Sequence, residues 1–231
     1  MNVYDPIEQM ELERKKAAVD LDELKTAARK WVEETVRKKY GQKGQVRPLV
    51  FYPRERLRQP CADSVHFSLH GTKEIRELAR DMAFTMGICG GVTLASPQVD
   101  LSNLAGSQIR LPVRMFVVDW SADRGHPITV INPDVHWMSD EVTREVEACL
   151  SLPGAKVRLK RPAQIRVSFH DERGNRHVGK ELEGMAARLF LHGMDHLDGQ
   201  LMLDHSSVGR LERRQALKKL DRMLKTETRR T

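Results

Sequence analysis

The residues most able to do chemistry stand at 192–196, His-Gly-Met-Asp-His. Two histidines four apart put both imidazoles on one helical face, where they can reach a single metal ion. In the metallohydrolase version of such a pair the residue after the first histidine is a glutamate that handles protons; here it is Gly193. Histidines also meet at this spacing by chance on helix surfaces, so other residues must decide. Cys149, in EVEACLSLPG, can supply a third ligand. A thiolate and two imidazoles form a three-ligand set that leaves a fourth position open for water. A buried apolar cysteine is the alternative reading. A further stretch, GVTLASPQVD (91–100), carries Gln98, whose amide can donate to a developing oxyanion.

These residues need elements to hold them. After Gly174, a helix in which Leu182, Ala186, Leu189, Gly193 and His196 recur at helical spacing puts the histidines on its inward face. The stretches VRMFVVDW (113–120) and HPITVINPDV (126–135) are rich in β-branched and aromatic residues and read as strands, as does RPLVFYP (47–53). Residues 163–178 read as two strands joined by a turn at Arg173-Gly174-Asn175. A helix from about Thr72 carries Ile75, Leu78, Met82 and Met86 on one face, and a basic amphipathic helix from about Ser207 to Thr228 closes the chain. Few strands are separated by helices at βαβ intervals. The expected class is therefore α+β, mostly antiparallel sheet around one central metal-binding helix. From Asp5 to Tyr40 the pattern is an added N-terminal helix: Asp5 caps, Pro6 suits the first turn, and Leu21, Leu24, Ala28 and Trp31 form a stripe. The expected division is a helical extension, 1–46, and one domain, 47–231.

Composition is that of an ordinary folded domain, with 40% apolar and 31% charged residues. No run approaches the roughly 18 apolar residues of a membrane span, and the start has neither a signal-peptide stretch nor the acid-poor composition of a transit peptide. The net charge of +7 suits an acidic neighbour such as RNA, or simply a solvated basic surface. Cys61, Cys89 and Cys149 are too widely spaced for a disulfide framework and fit a reducing compartment.

Taken in this order and at these separations, GVTLASPQV, EACLSLP and LHGMDHLDG resemble the three signature motifs of peptide deformylase. YPRERLRQPC, VINPDV, VRLKRPAQIRVSFHDERGN and DGQLMLDHSS extend the resemblance over about 47–225. It implies that Cys149, His192 and His196 bind one divalent metal, Fe2+ or Zn2+. It also implies hydrolytic removal of the formyl group from the first methionine of a new chain, with Gln98 and the backbone N–H of Leu150 holding the oxyanion. Gly91, Val92 and Glu147 would border the methionine pocket. The implied partners are a formylated peptide N-terminus and, through the basic C-terminal helix, the ribosome. Such chemistry belongs to bacterial-type translation: a mitochondrion is the expected place, with a plastid or the bacterial cytoplasm as alternatives.

The sequence departs from the resembled family at one position in each motif: Thr93 and Ala148 stand where it has glycines, and Gly193 where it has the glutamate. Losing a general acid–base costs about 10² to 10⁴-fold in rate. Glycine within a helix also costs about 1 kcal/mol against alanine, so helix stability does not explain Gly193; one reading is that it opens room beside the metal for a ligand atom or an extra water. Arg188, one turn before His192, either adds a charge near the pocket wall or, as the favoured reading, pairs with an acid such as Asp195. The extra sequence LSNLAGSQIRLP (101–112), around Arg110, either reshapes the entrance or is a passive insertion. Three functions follow: a metal-dependent deformylase with weakened or altered activity, a non-catalytic binder of peptide N-termini or the ribosome, and a relic that holds no metal.

Overall fold

The structure, a computed structural model, describes residues 44–61, 64–67, 72–100, 112–121 and 125–228, with isolated helical positions at 34, 37 and 38. The expected N-terminal helix with Leu21, Leu24, Ala28 and Trp31, and the segment 101–111 around Arg110, lie outside the described residues.

Among the described residues from 44 on, seven strands and three α-helices follow in the order α1 (Thr72–Ile88), β1 (Thr93–Ala95), β2 (Met115–Val118), β3 (Ile128–Met138), β4 (Val142–Ala148), β5 (Lys156–Pro162), β6 (Gln164–His170), β7 (Arg176–Glu183), α2 (Gly184–Leu197) and α3 (Arg210–Thr228). Every pairing is antiparallel: a five-stranded sheet ordered β1-β2-β3-β6-β7, and a separate hairpin of β4 and β5. The α+β expectation therefore holds.

The residues of β2, Met-Phe-Val-Val, are buried without exception, which requires cover on both faces of the sheet. Alternation assigns the two covers. Met115 and Val117 point to α1, packing with Ile75, Leu78, Met82 and Met86. Phe116 and Val118 point to the other face, where Ala187, Phe190, Leu191 and Leu197 of α2 meet Ile165, Val167 and Phe169 of β6. The α2 helix is thus central, as expected. A third cluster joins Val157 and Leu159 of β5 to Ala216 and Leu220 of α3, so the amphipathic face of the last helix anchors the small hairpin.

Three local expectations change. Leu182 lies in β7, opposite Ile165, because strand pairing persists to Glu183 and the turn into the helix is made at Gly184, whose φ is +54°. The last helix starts at Arg210 rather than at about Ser207. Arg47 to Pro53 makes only an isolated bridge, between Leu49 and Val99, rather than a strand.

A candidate metal centre at the end of the small hairpin

Cys149 follows directly on β4, and the two histidines ride on α2. The helix is capped at Asp198 and followed by Gly199 in the left-handed region at φ +70°. A Cβ there would lie 2.6 Å from the carbonyl oxygen of Arg58, so only glycine lets the opening segment close over this helix end. Cys149, His192 and His196 converge: their ligand atoms all lie within 4.8 Å of one another, and all three residues are buried. Sγ of Cys149 is 3.2 Å from Nε2 of His196, and the two imidazoles stand edge to face, 5.1 Å apart.

Glu147 sits behind His192, its Oε2 3.0 Å from Nδ1. A carboxylate in that place fixes the ring and leaves Nε2 for a cation, as behind histidine ligands generally. Glu147 is itself clamped by Arg161, which donates from Nε at 2.5 Å and from Nη2 at 2.8 Å. The same guanidinium reaches Asp195 at 2.8 Å, and His205 closes the chain at 2.8 Å from Asp195. Burial raises the Glu147 pKa, but hydrogen bonds from Arg161 and His192 more than offset it and hold the carboxyl far below its usual range.

Burial likewise pushes the Cys149 thiol up, and the two histidines reverse this, bringing it down to about 5. His192 is lowered by burial and raised by Cys149 and Glu147, to about 10. The pocket thus favours a thiolate facing a positive charge, the electrostatics a divalent cation satisfies in place of the proton. Soft sulfur with two imidazole nitrogens suits zinc or iron(II). The donor set fits a metal.

Gln98 is placed by a 3₁₀ turn, Ser96–Gln98. Its Oε1 accepts from the N–H of Ala95 at 2.8 Å, which orients Nε2 toward Ser151 Oγ at 3.1 Å and Cys149 Sγ at 3.4 Å. A donor is therefore held beside the prospective cation. From there a groove of about 480 Å³ runs out between Gly91, Val92, Leu150, Met185 and Leu189, with Glu147, Cys149 and His192 at its floor. The motif residues Gly91, Val92, Gln98, Glu147, Cys149, Leu150, His192 and His196 are all gathered at this place.

Two expectations are corrected here. Arg188 does not pair with Asp195, which Arg161 and His205 already satisfy. It is 3% exposed and turns to the hairpin, donating to Glu147 Oε1 at 2.7 Å, to Thr143 O and Oγ1 at 3.0 and 2.9 Å, and to Leu159 O at 3.3 Å. Nor is there room beside Gly193. A Cβ on that residue would lie 2.8 to 2.9 Å from ring carbons of Phe116, well inside the 3.5–4.0 Å of ordinary carbon contact.

A family model described as polypeptide deformylase matches residues 46–212. The chain belongs to the polypeptide deformylase family. It is 33% identical over 190 residues to the peptide deformylase of Bartonella bacilliformis, covering 78% of this chain and 94% of that relative. A peptide deformylase of Dictyoglomus thermophilum is 40% identical over 134 residues, 58% of this chain and 78% of its own. Among solved structures, the Legionella pneumophila peptide deformylase superposes with a TM-score of 0.68 at 28% identity, covering 80% of this chain and 98% of the other. The Synechococcus elongatus peptide deformylase in complex with actinonin gives 0.65 at 30%, covering 78% and 91%.

In this deformylase-family site, several residues beyond the signature motifs matter. Arg161 was legible in principle: Val157, Leu159 and Arg161 alternate inward along β5, and an arginine at an inward strand position demands a buried anion. Thr143 and Ser151 carry no such signal. Phe116 carries none either, since only the packing of β2 on α2 brings its ring to Gly193.

Proposed function

We propose that this chain holds one Fe2+ or Zn2+ on Cys149, His192 and His196 and takes formyl-methionyl peptide ends into the adjoining groove, hydrolysing them far more slowly than a family member that keeps the glutamate. The observation that carries this reading is the convergence of the three ligand atoms within 4.8 Å, with Cys149 and His192 among the residues that line the groove. When bound, such an ion lowers the pKa of water to about 7 and polarises a carbonyl.

The residues of the chain divide the remaining work. Glu147, clamped by Arg161 and Arg188, orients His192. Gln98 Nε2 and the N–H of Leu150 serve the oxyanion that forms at the formyl carbon. Gly91, Val92 and Glu147 border the space for the methionine side chain, and Leu150 packs against Gly91. What is missing is a group to carry the proton to the departing amine, because Gly193 has no side chain; the expected deficit is about 10² to 10⁴-fold. Basic residues along α3, Arg210, Arg214, Lys218 and Arg222 among them, support ribosomal RNA as a second contact; the setting we propose is bacterial-type translation in a mitochondrion.

The test combines metal analysis of anaerobically purified protein with hydrolysis of formyl-Met-Ala-Ser on the same sample. About one equivalent of metal per chain with slow hydrolysis is expected. Less than about a tenth of an equivalent of any transition metal overturns the reading. Retention of peptide ends without hydrolysis is the second reading, and one observation favours it: the ring of Phe116 stands against the position from which the proton carrier would project.

A further inference from the structure

A helix position without a side chain can be an opening or a contact. At Gly193 it is a contact. The three nearest atoms to a Cβ built there are Cγ, Cδ2 and Cδ1 of Phe116, at 2.8, 2.8 and 2.9 Å. The ring cannot easily yield. Phe116 is fully buried on a strand covered on both faces, and its backbone is fixed between Ala95 of β1 and Val130 of β3. Its ring meets Phe190 edge to face at 5.2 Å, and Phe190 meets Phe169 at 6.2 Å. Moving the ring at 116 therefore means moving a chain of aromatic side chains in a close-packed layer.

We infer that Phe116 and Gly193 form a steric pair in which the ring excludes any side chain at 193, so that a proton-carrying residue can return there only together with a smaller residue at 116. The inference rests on the proposed function for what such a residue would do, but not for the packing. It makes loss of the proton carrier a property of two residues, one on the metal helix and one on the strand beneath it. It also reverses an ordinary rule: glycine to alanine inside a helix stabilises, and at 193 it destabilises.

The experiment uses the full chain as parent, Gly193→Ala, Gly193→Glu, Phe116→Val and the double variant G193E/F116V. The readouts are Tm, the visible absorption of bound Co2+ and formyl-Met-Ala-Ser hydrolysis. Both single changes at 193 are expected to lower Tm, and the glutamate is expected to be tolerated when valine stands at 116, so that the double variant melts no lower than Phe116→Val alone. Its hydrolysis should exceed that of Gly193→Glu by about 10²-fold or more. A Gly193→Ala protein melting at or above the parent overturns the inference, as do additive Tm losses in the double variant or hydrolysis that is measurable and equal in Gly193→Glu and the double variant. A double variant with coupled Tm and the cobalt spectrum but no hydrolysis supports the steric pair while overturning the formyl-peptide reading.

Discussion

Arg188 donates to Glu147 Oε1 at 2.7 Å, and that carboxylate is the one that steadies His192. Two buried guanidiniums thus share a single carboxylate, though unequally: Arg161 also reaches Asp195, whereas Glu147 is the only carboxylate among the described residues that Arg188 contacts. Glu147→Ala is therefore expected to be the more damaging change. It strands Arg188 and should cost about 3–5 kcal/mol of stability, with a further 10 to 100-fold loss of metal affinity from freeing His192. Arg188→Leu leaves Glu147 clamped by Arg161 and deprives mainly Thr143 and Leu159 of a donor, about 1–3 kcal/mol. Urea denaturation of the two variants checks the order; equal losses would mean that Arg161 alone does not hold the carboxylate.

Thr93 gives a prediction of opposite sign. It is 7% exposed, it borders the groove, and its Oγ1 has no hydrogen-bond partner among the described residues. Replacing an unsatisfied buried hydroxyl by a methyl of the same shape removes a desolvation cost of about 1–3 kcal/mol. Thr93→Val should then raise Tm. If the hydroxyl instead serves a peptide in the groove, the same variant binds formyl-Met-Ala-Ser more weakly, which calorimetry would register.

The three cysteines should separate by reactivity. Cys89 is exposed, while Cys61 and Cys149 are buried. Burial pushes Cys61 up to about 11, with Ser96 opposing it only in part, so it is a thiol at neutral pH. In metal-loaded native protein one cysteine, Cys89, is expected to react with a maleimide. Chelation should release Cys149 as a second site, and Cys61 should follow only on unfolding. Peptide mapping after each step distinguishes them, and early labelling at Cys61 would contradict the burial.

Metal removal should itself be visible in stability. A ligand that binds only the folded state stabilises by RT ln(1 + [L]/Kd), about 4 kcal/mol at a thousandfold excess over Kd. A chelator should lower the parent's Tm and leave that of Cys149→Ala or His196→Ala unchanged. Scanning calorimetry with and without chelator decides it.

Much of this was legible in the sequence because period and motif carry it. The spacing of His192 and His196, the alternation of Ile165, Val167 and Phe169 along β6 and the apolar stripe of α1 each encode one face of one element. What was not legible depends on how faces meet. Arg188 has Asp195 seven residues away on its own helix, but β4 and β5 present Glu147 and two backbone carbonyls closer to its guanidinium. Gly193 reads as open space until β2 is laid under α2 and the ring at 116 fills it. Leu182 satisfies a helical repeat and an alternating one alike, and pairing with Ile165 chose the strand.

Cys149 closes the two-stranded hairpin, while His192 and His196 belong to the helix packed on the five-stranded sheet. A cation shared by these residues would rivet two sheets that, among the described residues, no ladder of backbone hydrogen bonds connects. Its departure would leave each layer intact and loosen the seam between them, so that amides of β4 and β5 would exchange with solvent well before those of β2 and β3.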